Sequence, residues 1–308
     1  MNSTKNDIST SLAGVRLRNP TVLVSGILGI TSSSLIRVAN SGAGAITTKS
    51  IGPVRREGHK NPVIVEVPCG ILNSVGLACP SLDESLDELK ETMKRVNTPV
   101  IASFYGRTVG EFGEMAEKIS EAKPDFLEAN ISCPNIENEF GKPFGTEPKI
   151  SARVTEVIKD STKIPLIVKL TPNVSDIKVI AKAVESSGAD VISAINSYGP
   201  GMVINIETAS PVLSNKFGGL SGPAIRPIAV RCVYEIYETV EVPIIGIGGI
   251  QTGRDAIEML MAGASAVGIG TGIMERDIKI FSEICEEIRG FMKSEGYSRL
   301  NELIGKAH

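Results

Sequence analysis

The segments Val242-Pro-Ile-Ile-Gly-Ile-Gly-Gly249 and Ala266-Val-Gly-Ile-Gly-Thr-Gly272 carry the pattern that decides the fold. Each begins as a short apolar run, which is typical of a buried strand, and each ends in glycines. The residues between them, 252–262, have the periodicity of a helix. A strand, a helix and a second strand in this order indicate a parallel sheet covered by helices.

The same alternation runs from residue 21 to the end of the chain. It predicts strands at 21–25, 45–49, 100–104, 126–130, 166–170, 191–195, 244–247 and 266–270. It predicts helices near 32–40, 82–95, 109–121, 148–161, 175–187, 224–239, 252–262 and 277–294. Recurring Gly-Ala pairs before strands suit left-handed helix ends, and prolines at strand starts cost no ladder bond, so both support the assignment.

Eight strand–helix pairs close most naturally into a (β/α)8 TIM barrel, which is an α/β fold. We expect residues 1–308 to form a single domain. A doubly wound open sheet is the alternative, but Ser25-Gly-Ile-Leu-Gly29 lacks the spacing of a dinucleotide-binding loop. Turn signals within residues 8–20 predict a small N-terminal β-hairpin that closes one end. The long loops 50–81, 131–147 and 196–222 follow strands, so they lie on the carboxyl face as walls or a lid.

The composition excludes several classes of function. The net charge is -3 without a Lys/Arg block, so we expect no nucleic-acid partner and no membrane partner. The five cysteines form no CxxC pair, which favours a reducing, cytoplasmic location. With two histidines in the chain, a histidine-based mechanism or metal site is not expected.

The predicted strands end in polar residues or glycines, which would meet at one end of a barrel. These residues are Ser25, Lys49, Ser103, Asn130, Lys169, Asn196, Gly248, Gly249, Gly270 and Thr271. Glycines after strands seven and eight let backbone N–H groups approach an anion, so they predict a phosphate site. Tight turns are the alternative reading of these glycines.

Two lysines, Lys49 and Lys169, end otherwise apolar strands. Each could extend its ammonium to solvent or pair with a carboxylate. A fixed cation beside a flavin ring could instead stabilise negative charge there, and Schiff-base chemistry is a third role.

The stretch Phe126-Leu-Glu-Ala-Asn-Ile-Ser-Cys-Pro-Asn135 changes from a buried strand to amides and a thiol. Cys133 is a candidate base or nucleophile, although most free cysteines are buried packing residues. The amides of Asn73, Asn130, Asn135 and Asn196 could converge on a ring edged with carbonyl and N–H groups, such as a pyrimidine.

The motif Asn130-Ile-Ser-Cys-Pro-Asn135 resembles the active-site motif of class 1 dihydroorotate dehydrogenases. The chain is similar to this family from about residue 12 onwards, in family order. Further matching phrases are Thr48-Lys-Ser50, Leu72-Asn-Ser-Val-Gly-Leu77, Lys169-Leu-Thr-Pro-Asn173, Gly219-Leu-Ser-Gly-Pro223, Gly246-Ile-Gly-Gly-Ile250 and Ala262-Gly-Ala-Ser-Ala266.

The resemblance implies an FMN-bound barrel that oxidises dihydroorotate to orotate in pyrimidine synthesis. Cys133 would take a proton from C5 while C6 delivers hydride to the flavin, and the loop 131–147, with Gly141 and Gly145, would be a mobile cover. The implied substrate residues are Lys49, Asn73, Ser74, Val75, Gly76, Leu77, Asn130, Asn135, Asn196 and Ser197. The implied FMN residues are Ser25, Lys49, Ser50, Ser103, Asn130, Lys169, Ile195, Gly222, Gly248, Gly249, Gly270 and Thr271.

Cysteine at position 133 points to class 1, and the chain most resembles the NAD-linked subclass 1B, especially its archaeal members. That likeness implies a homodimer or a heterotetramer with a subunit that carries FAD and an iron–sulfur cluster. Two features depart from the family: Ser103 stands where an asparagine is common, and the run Asn196-Ser-Tyr-Gly-Pro-Gly-Met202 is unusual. The alternatives are a dehydrogenase of a related ring such as dihydrouracil, or a cofactor-free Schiff-base lyase.

Overall fold

The computed structural model describes residues 6–132 and 144–308. The strands are β1 Thr10–Leu12, β2 Val15–Leu17, β3 Thr21–Leu23, β4 Ala45–Thr47, β5 Ile64–Val67, β6 Gly70–Asn73, β7 Val100–Phe104, β8 Phe126–Asn130, β9 Leu166–Leu170, β10 Val191–Ala194, β11 Tyr198–Gly201, β12 Ile204–Asn205, β13 Ser210–Pro211, β14 Gly218–Ser221, β15 Ile244–Ile247 and β16 Ala266–Ile269. The helices are α1 Ser32–Asn40, α2 Leu82–Arg95, α3 Val109–Ser120, α4 Pro148–Ser161, α5 Ile177–Ser186, α6 Arg226–Tyr237, α7 Gly253–Met261, α8 Gly272–Arg276 and α9 Ile280–Glu295.

Eight of the strands form a closed barrel in the order β10-β15-β16-β3-β4-β7-β8-β9. Neighbouring strands in this barrel run parallel, as in the pairing of Asn130 with Lys169 and of Lys169 with Ser193. Helices follow the strands and pack against them. The prediction of a TIM barrel is therefore confirmed, and the open-sheet alternative is wrong.

The amino end of the barrel interior is closed by apolar side chains. Leu12 and Leu17 of the hairpin β1–β2 are fully buried, and they pack against the first inward-facing layer of the barrel. That layer consists of Val22, Ala45, Ile101, Phe126, Ile167, Val191, Ile245 and Ala266. Because side chains alternate along a strand, the next inward positions lie two residues nearer the carboxyl end.

The helix bounds follow from local signals. Ser81 caps α2 and forms a capping box with Glu84, which satisfies backbone donors at the start of that helix. The last predicted helix, 277–294, differs from the structure. Asp277 has a φ of 55°, outside the helical range, so the chain forms the short α8 before it and starts α9 three residues after it.

Two of the long loops form a sheet that the sequence pattern did not predict. Strands β11, β14, β6 and β5 pair antiparallel in that order, and we call them the carboxyl-face sheet. Its strands are short and half-exposed, and β14 begins with two glycines, so their apolar periodicity is weak. Gly219 pairs with Asn73, which is far away in sequence, so local patterns give no sign of the pairing. In the described part of the chain, no helix is long and apolar enough to cross a membrane.

Candidate active site

A cavity of about 600 Å³ lies between the carboxyl ends of the barrel strands and the carboxyl-face sheet. Its size is within the range of small-molecule sites. The predicted site residues on its wall are Ser25, Lys49, Ser50, Asn73, Ser74, Val75, Gly76, Leu77, Asn130, Lys169, Ile195, Asn196, Ser197, Gly222, Gly248, Gly249, Gly270 and Thr271. The fold therefore brings nearly all of the predicted substrate and cofactor residues into one place.

One predicted residue in the described part of the chain is not on that wall. Ser103 is fully buried behind Ser50, and the two hydroxyl oxygens are 3.0 Å apart. Ser103 thus supports Ser50, and direct contact with a cofactor stays a prediction. Cys133 and Asn135 lie outside the described residues, as does Gly141 in the predicted cover.

The other end of the predicted cover is described. It forms a short 3-10 helix, Phe144–Thr146, in which the Gly145 N–H donates to the carbonyl oxygen of Ile131 at 2.8 Å. This bond ties residue 145 to the end of strand β8. The role of residues 131–147 as a cover stays a prediction.

One part of the cavity wall is a cluster of hydroxyls. Ser50 lies 3.1 Å from the Ser25 hydroxyl and accepts a hydrogen bond from Asn130 Nδ2 at 3.1 Å. Behind this wall, the Thr48 hydroxyl accepts from the Ser103 N–H at 3.1 Å. Hydroxyls can donate or accept, so this cluster can adapt to a ligand with both kinds of polar atom.

Ser132 links two predicted amides across the site, and the sequence did not assign it a role. Its hydroxyl donates to Asn130 Oδ1 at 2.9 Å and accepts from Asn196 Nδ2 at 2.6 Å. The residue is 3% exposed, yet it lines the cavity. Its position beside Cys133 in the quoted motif was the available signal.

Lys169 brings a buried positive charge to the cavity. It is 5% exposed and lines the cavity, and its ammonium group forms no ion pair or hydrogen bond with another described residue. A buried ammonium group without a partner is costly, so its position favours a ligand with negative charge or strong acceptor atoms. The predicted binding role of Lys169 is consistent with this environment.

Glu128 lies in the same barrel layer as Lys169 and was also missed. It is 3% exposed, and Ser193 donates to its Oε2 at 3.2 Å across the intervening strand β9. Its Oε1 has no hydrogen-bond partner among the described residues. A charged residue inside the apolar run 126–130 was the sequence signal for an interior polar position.

The ends of β15 and β16 present backbone donors to the cavity. The N–H groups of Gly248, Gly249, Gly270 and Thr271 donate no hydrogen bond to another described residue, although all four residues line the cavity. Backbone donors near the interior are normally paired, so this set suits an anionic group with several oxygens. Gly249 has a φ of 68°, and a Cβ there would lie 2.8 Å from the Gly222 carbonyl oxygen, so a side chain does not fit.

The segment 73–77 forms the opposite wall. Asn73 donates to the Gly219 carbonyl oxygen at 3.3 Å, which joins this segment to the carboxyl-face sheet. His59 Nδ1 lies 2.9 Å from the Ser74 carbonyl oxygen, where a protonated Nδ1 donates. The Ser74 hydroxyl is buried and has no partner among the described residues, so it remains available to a ligand.

The unusual run after Asn196 forms the edge strand β11 of the carboxyl-face sheet. The Gly199 N–H donates to Asn173 Oδ1 at 3.1 Å, and Gly199, Pro200 and Asn173 all line the cavity. This run is therefore part of the wall around the site. Asn173 was quoted within a matching motif, but no role was predicted for it.

Two cysteines on helices differ from a reactive thiol. Cys232 in α6 and Cys285 in α9 are buried. Burial raises the pKa of Cys285 to about 11 and also raises the pKa of Cys232. Both thiols stay protonated near neutral pH, so neither is suited to act as a base.

Comparison with known proteins identifies the family. A family model described as dihydroorotate dehydrogenase matches residues 7–292. Proteins named dihydroorotate dehydrogenase B (NAD(+)), catalytic subunit, are similar over nearly the whole chain. The one from Methanosarcina mazei is 48% identical over 97% of this chain and 94% of its own length. That from Methanocaldococcus jannaschii is 47% identical over 98% of each, and that from Pyrococcus furiosus is 44% identical over 97% and 98%.

A solved structure supports the fold separately. The crystal structure of a dihydroorotate dehydrogenase from Eimeria tenella in complex with ferulenol superposes with a TM-score of 0.84. It covers 100% of this chain and 90% of the other, at 20% sequence identity. The family model, the relatives and the barrel agree, and the chain belongs to the dihydroorotate dehydrogenase family.

Proposed function

We propose that this protein is the catalytic subunit of an NAD-linked dihydroorotate dehydrogenase, which oxidises dihydroorotate to orotate in pyrimidine biosynthesis. The observation that carries the proposal is the convergence on one cavity of amides, a buried lysine and backbone donors, the last two without a partner among the described residues. The nearly full-length relatives with this name support the choice of reaction. The whole chain, residues 1–308, acts as one domain in this proposal.

The residues around the cavity fit FMN as the cofactor. Gly248, Gly249, Gly270 and Thr271 offer N–H groups to its phosphate, and Lys169 places a positive charge beside its ring. The remaining predicted cofactor residues on the wall, which would supply side-chain or backbone contacts, are Ser25, Lys49, Ser50, Asn130, Ile195 and Gly222. Ser103 would support Ser50 from behind. When bound, FMN supplies the acceptor for the hydride that leaves C6 of dihydroorotate.

The opposite wall fits the substrate. The segment 73–77, with Asn130, Asn196 and Ser197, surrounds a space where amides could pair with the carbonyl and N–H groups of the ring. Lys49 and Asn135 complete the proposed substrate set. Cys133 removes the proton from C5 while the C6–H bond breaks, so the ring gains a C5–C6 double bond.

A second subunit would remove the electrons. The relatives are named as catalytic subunits, so we propose a heterotetramer with a subunit that carries FAD and an iron–sulfur cluster, built on a homodimer of this chain. Exposed large apolar side chains include Ile204 on β12, Ile206 directly after β12 and Phe217 directly before β14. Phe217 also lines the cavity, and exposed apolar side chains suit contact with another subunit. The cytoplasmic location stays a prediction.

Anaerobic reduction of the bound flavin tests the proposal. The purified protein should contain releasable FMN, and dihydroorotate should bleach the flavin absorbance while dihydrouracil does not. If dihydrouracil bleaches the flavin and dihydroorotate does not, the enzyme is a dehydrogenase of dihydrouracil. The observation that favours this alternative is the unusual cavity wall that β11 forms at Gly199 and Pro200. A colourless protein that forms a borohydride-reducible adduct at Lys169 would instead support the Schiff-base lyase.

A further inference from the structure

The hydroxyl of Ser132 is bonded to two amides, that of Asn130 at the end of β8 and that of Asn196 just after β10. It donates to Asn130 Oδ1 at 2.9 Å and accepts from Asn196 Nδ2 at 2.6 Å. We infer that Ser132 is a positioning residue that fixes the orientation of both amides toward the substrate. This inference rests on the proposed function.

The bonds at the other ends of the two amides determine which atom faces which way. Asn130 Nδ2 donates to the Ser50 hydroxyl at 3.1 Å, and Asn196 Oδ1 accepts from the Ser197 N–H at 2.8 Å. An amide rotated by 180° would exchange its donor and its acceptor. The Ser132 hydroxyl has one hydrogen, so it donates to one amide and accepts from the other. Because the hydrogen bonds to Asn130 Oδ1, Asn196 must present its N–H to the Ser132 oxygen, and the two amide orientations are coupled.

The fixed orientation leaves a defined set of ligand contacts. Asn130 and Asn196 each keep one N–H and one oxygen lone pair beyond the bonds described above. A planar ring edged with alternating carbonyl and N–H groups binds only when donors face acceptors. Without Ser132 either amide can rotate, and a rotated amide places donor against donor or acceptor against acceptor. Ser132 therefore governs ring binding rather than proton removal.

Orotate binding to the FMN-loaded enzyme tests this role without turnover. Ser132→Ala should raise the Kd of orotate about tenfold, which corresponds to about 1.4 kcal/mol. The KM for dihydroorotate should rise by a similar factor, with kcat within about twofold of the parent value and FMN content unchanged. Ser85→Ala is the matched control, because Ser85 is a buried serine on α2 that donates to the Ser81 carbonyl oxygen and does not line the cavity. The control should bind orotate like the parent.

A double-mutant cycle separates positioning from a general structural role. Because Ser132 acts through Asn196 as well as Asn130, the Ser132→Ala/Asn196→Ala double variant should lose less orotate affinity than the sum of the two single losses. Fully additive losses would overturn the inference. Parent-like binding of orotate by Ser132→Ala would also overturn it. If dihydroorotate still bleaches the flavin of that variant, the proposed function stands. If the parent protein neither bleaches nor binds orotate, both fall.

Discussion

The two ends of the barrel interior are built from the same strands, but they have opposite chemistry. At the amino end, inward residues such as Phe126 and Ile167 pack against Leu12 and Leu17 of the hairpin and form a dry core. Two residues further along the same strands, the inward positions hold Glu128 and Lys169, which are buried and polar. The amino end therefore contributes to stability, whereas the carboxyl end carries buried polar groups, which suits the binding and catalysis that we propose there.

The largest expected effect concerns the proposed base at the carboxyl end. Cys133→Ala should slow dihydroorotate-dependent flavin bleaching by roughly 10²- to 10⁴-fold, since a positioned acid–base group contributes about that factor. FMN should stay bound. Stopped-flow absorbance under anaerobic conditions measures the rate. Bleaching at the parent rate would remove Cys133 from the mechanism.

The amino end should respond in stability instead. Phe126→Ala removes a fully buried ring and should lower the free energy of unfolding by about 3–5 kcal/mol. Urea denaturation measures this loss, and the KM of the folded protein should not change. A raised KM without a loss of stability would show that the amino end of the barrel contributes to substrate binding and not to stability.

Lys169 tests the buried charge at the carboxyl end. Lys169→Met should raise the Kd of FMN roughly tenfold to a hundredfold, because contacts to charged groups contribute about 1.5–3 kcal/mol. Since the variant also removes a buried charge that has no partner among the described residues, the FMN-free protein should unfold at no lower urea concentration than the parent. Fluorescence titration of the FMN-free protein measures the Kd.

The control for that variant is Lys178→Met, because Lys178 is exposed on α5. It should bind FMN like the parent. Equal FMN affinity in Lys169→Met and Lys178→Met would mean that Lys169 has no part in cofactor binding.

The smallest effect is expected at Cys285, whose side chain lies near the amino end of β3. Burial raises its pKa to about 11, so at pH 8 roughly one thiol in a thousand is ionised. Its raised pKa keeps the thiol protonated until pH approaches that value. Iodoacetamide at pH 8 should leave Cys285 unmodified in the native protein, as mass spectrometry of digested peptides would show. Rapid alkylation there would contradict the burial of this helix face.

The parts of the fold that sequence predicted well are those with strong local signals. Strands β7, β8, β9 and β15 have the predicted bounds, because each is a nearly continuous apolar run buried on both faces. The helices α1, α2 and α4 also match. The carboxyl-face sheet was missed because its pairings join segments far apart in sequence through glycine-rich, half-exposed strands.

The site was predicted residue by residue only where a motif or a strand end marked it. Asn130, Lys169 and Gly249 lie on the cavity wall as the strand ends indicated. Ser132 and Glu128 were missed because their importance depends on partners in other strands, Asn196 and Ser193. Such partnerships depend on barrel closure, which local sequence does not encode.

A crystal structure of the protein with FMN and orotate would show whether the carboxyl end of the barrel is the active site. We predict the phosphate of FMN at the N–H groups of Gly249 and Thr271, and orotate between the segment 73–77 and the amides of Asn130 and Asn196. Electron density for orotate outside this cavity, or FMN phosphate away from the ends of β15 and β16, would contradict the assignment of the carboxyl end as the active site.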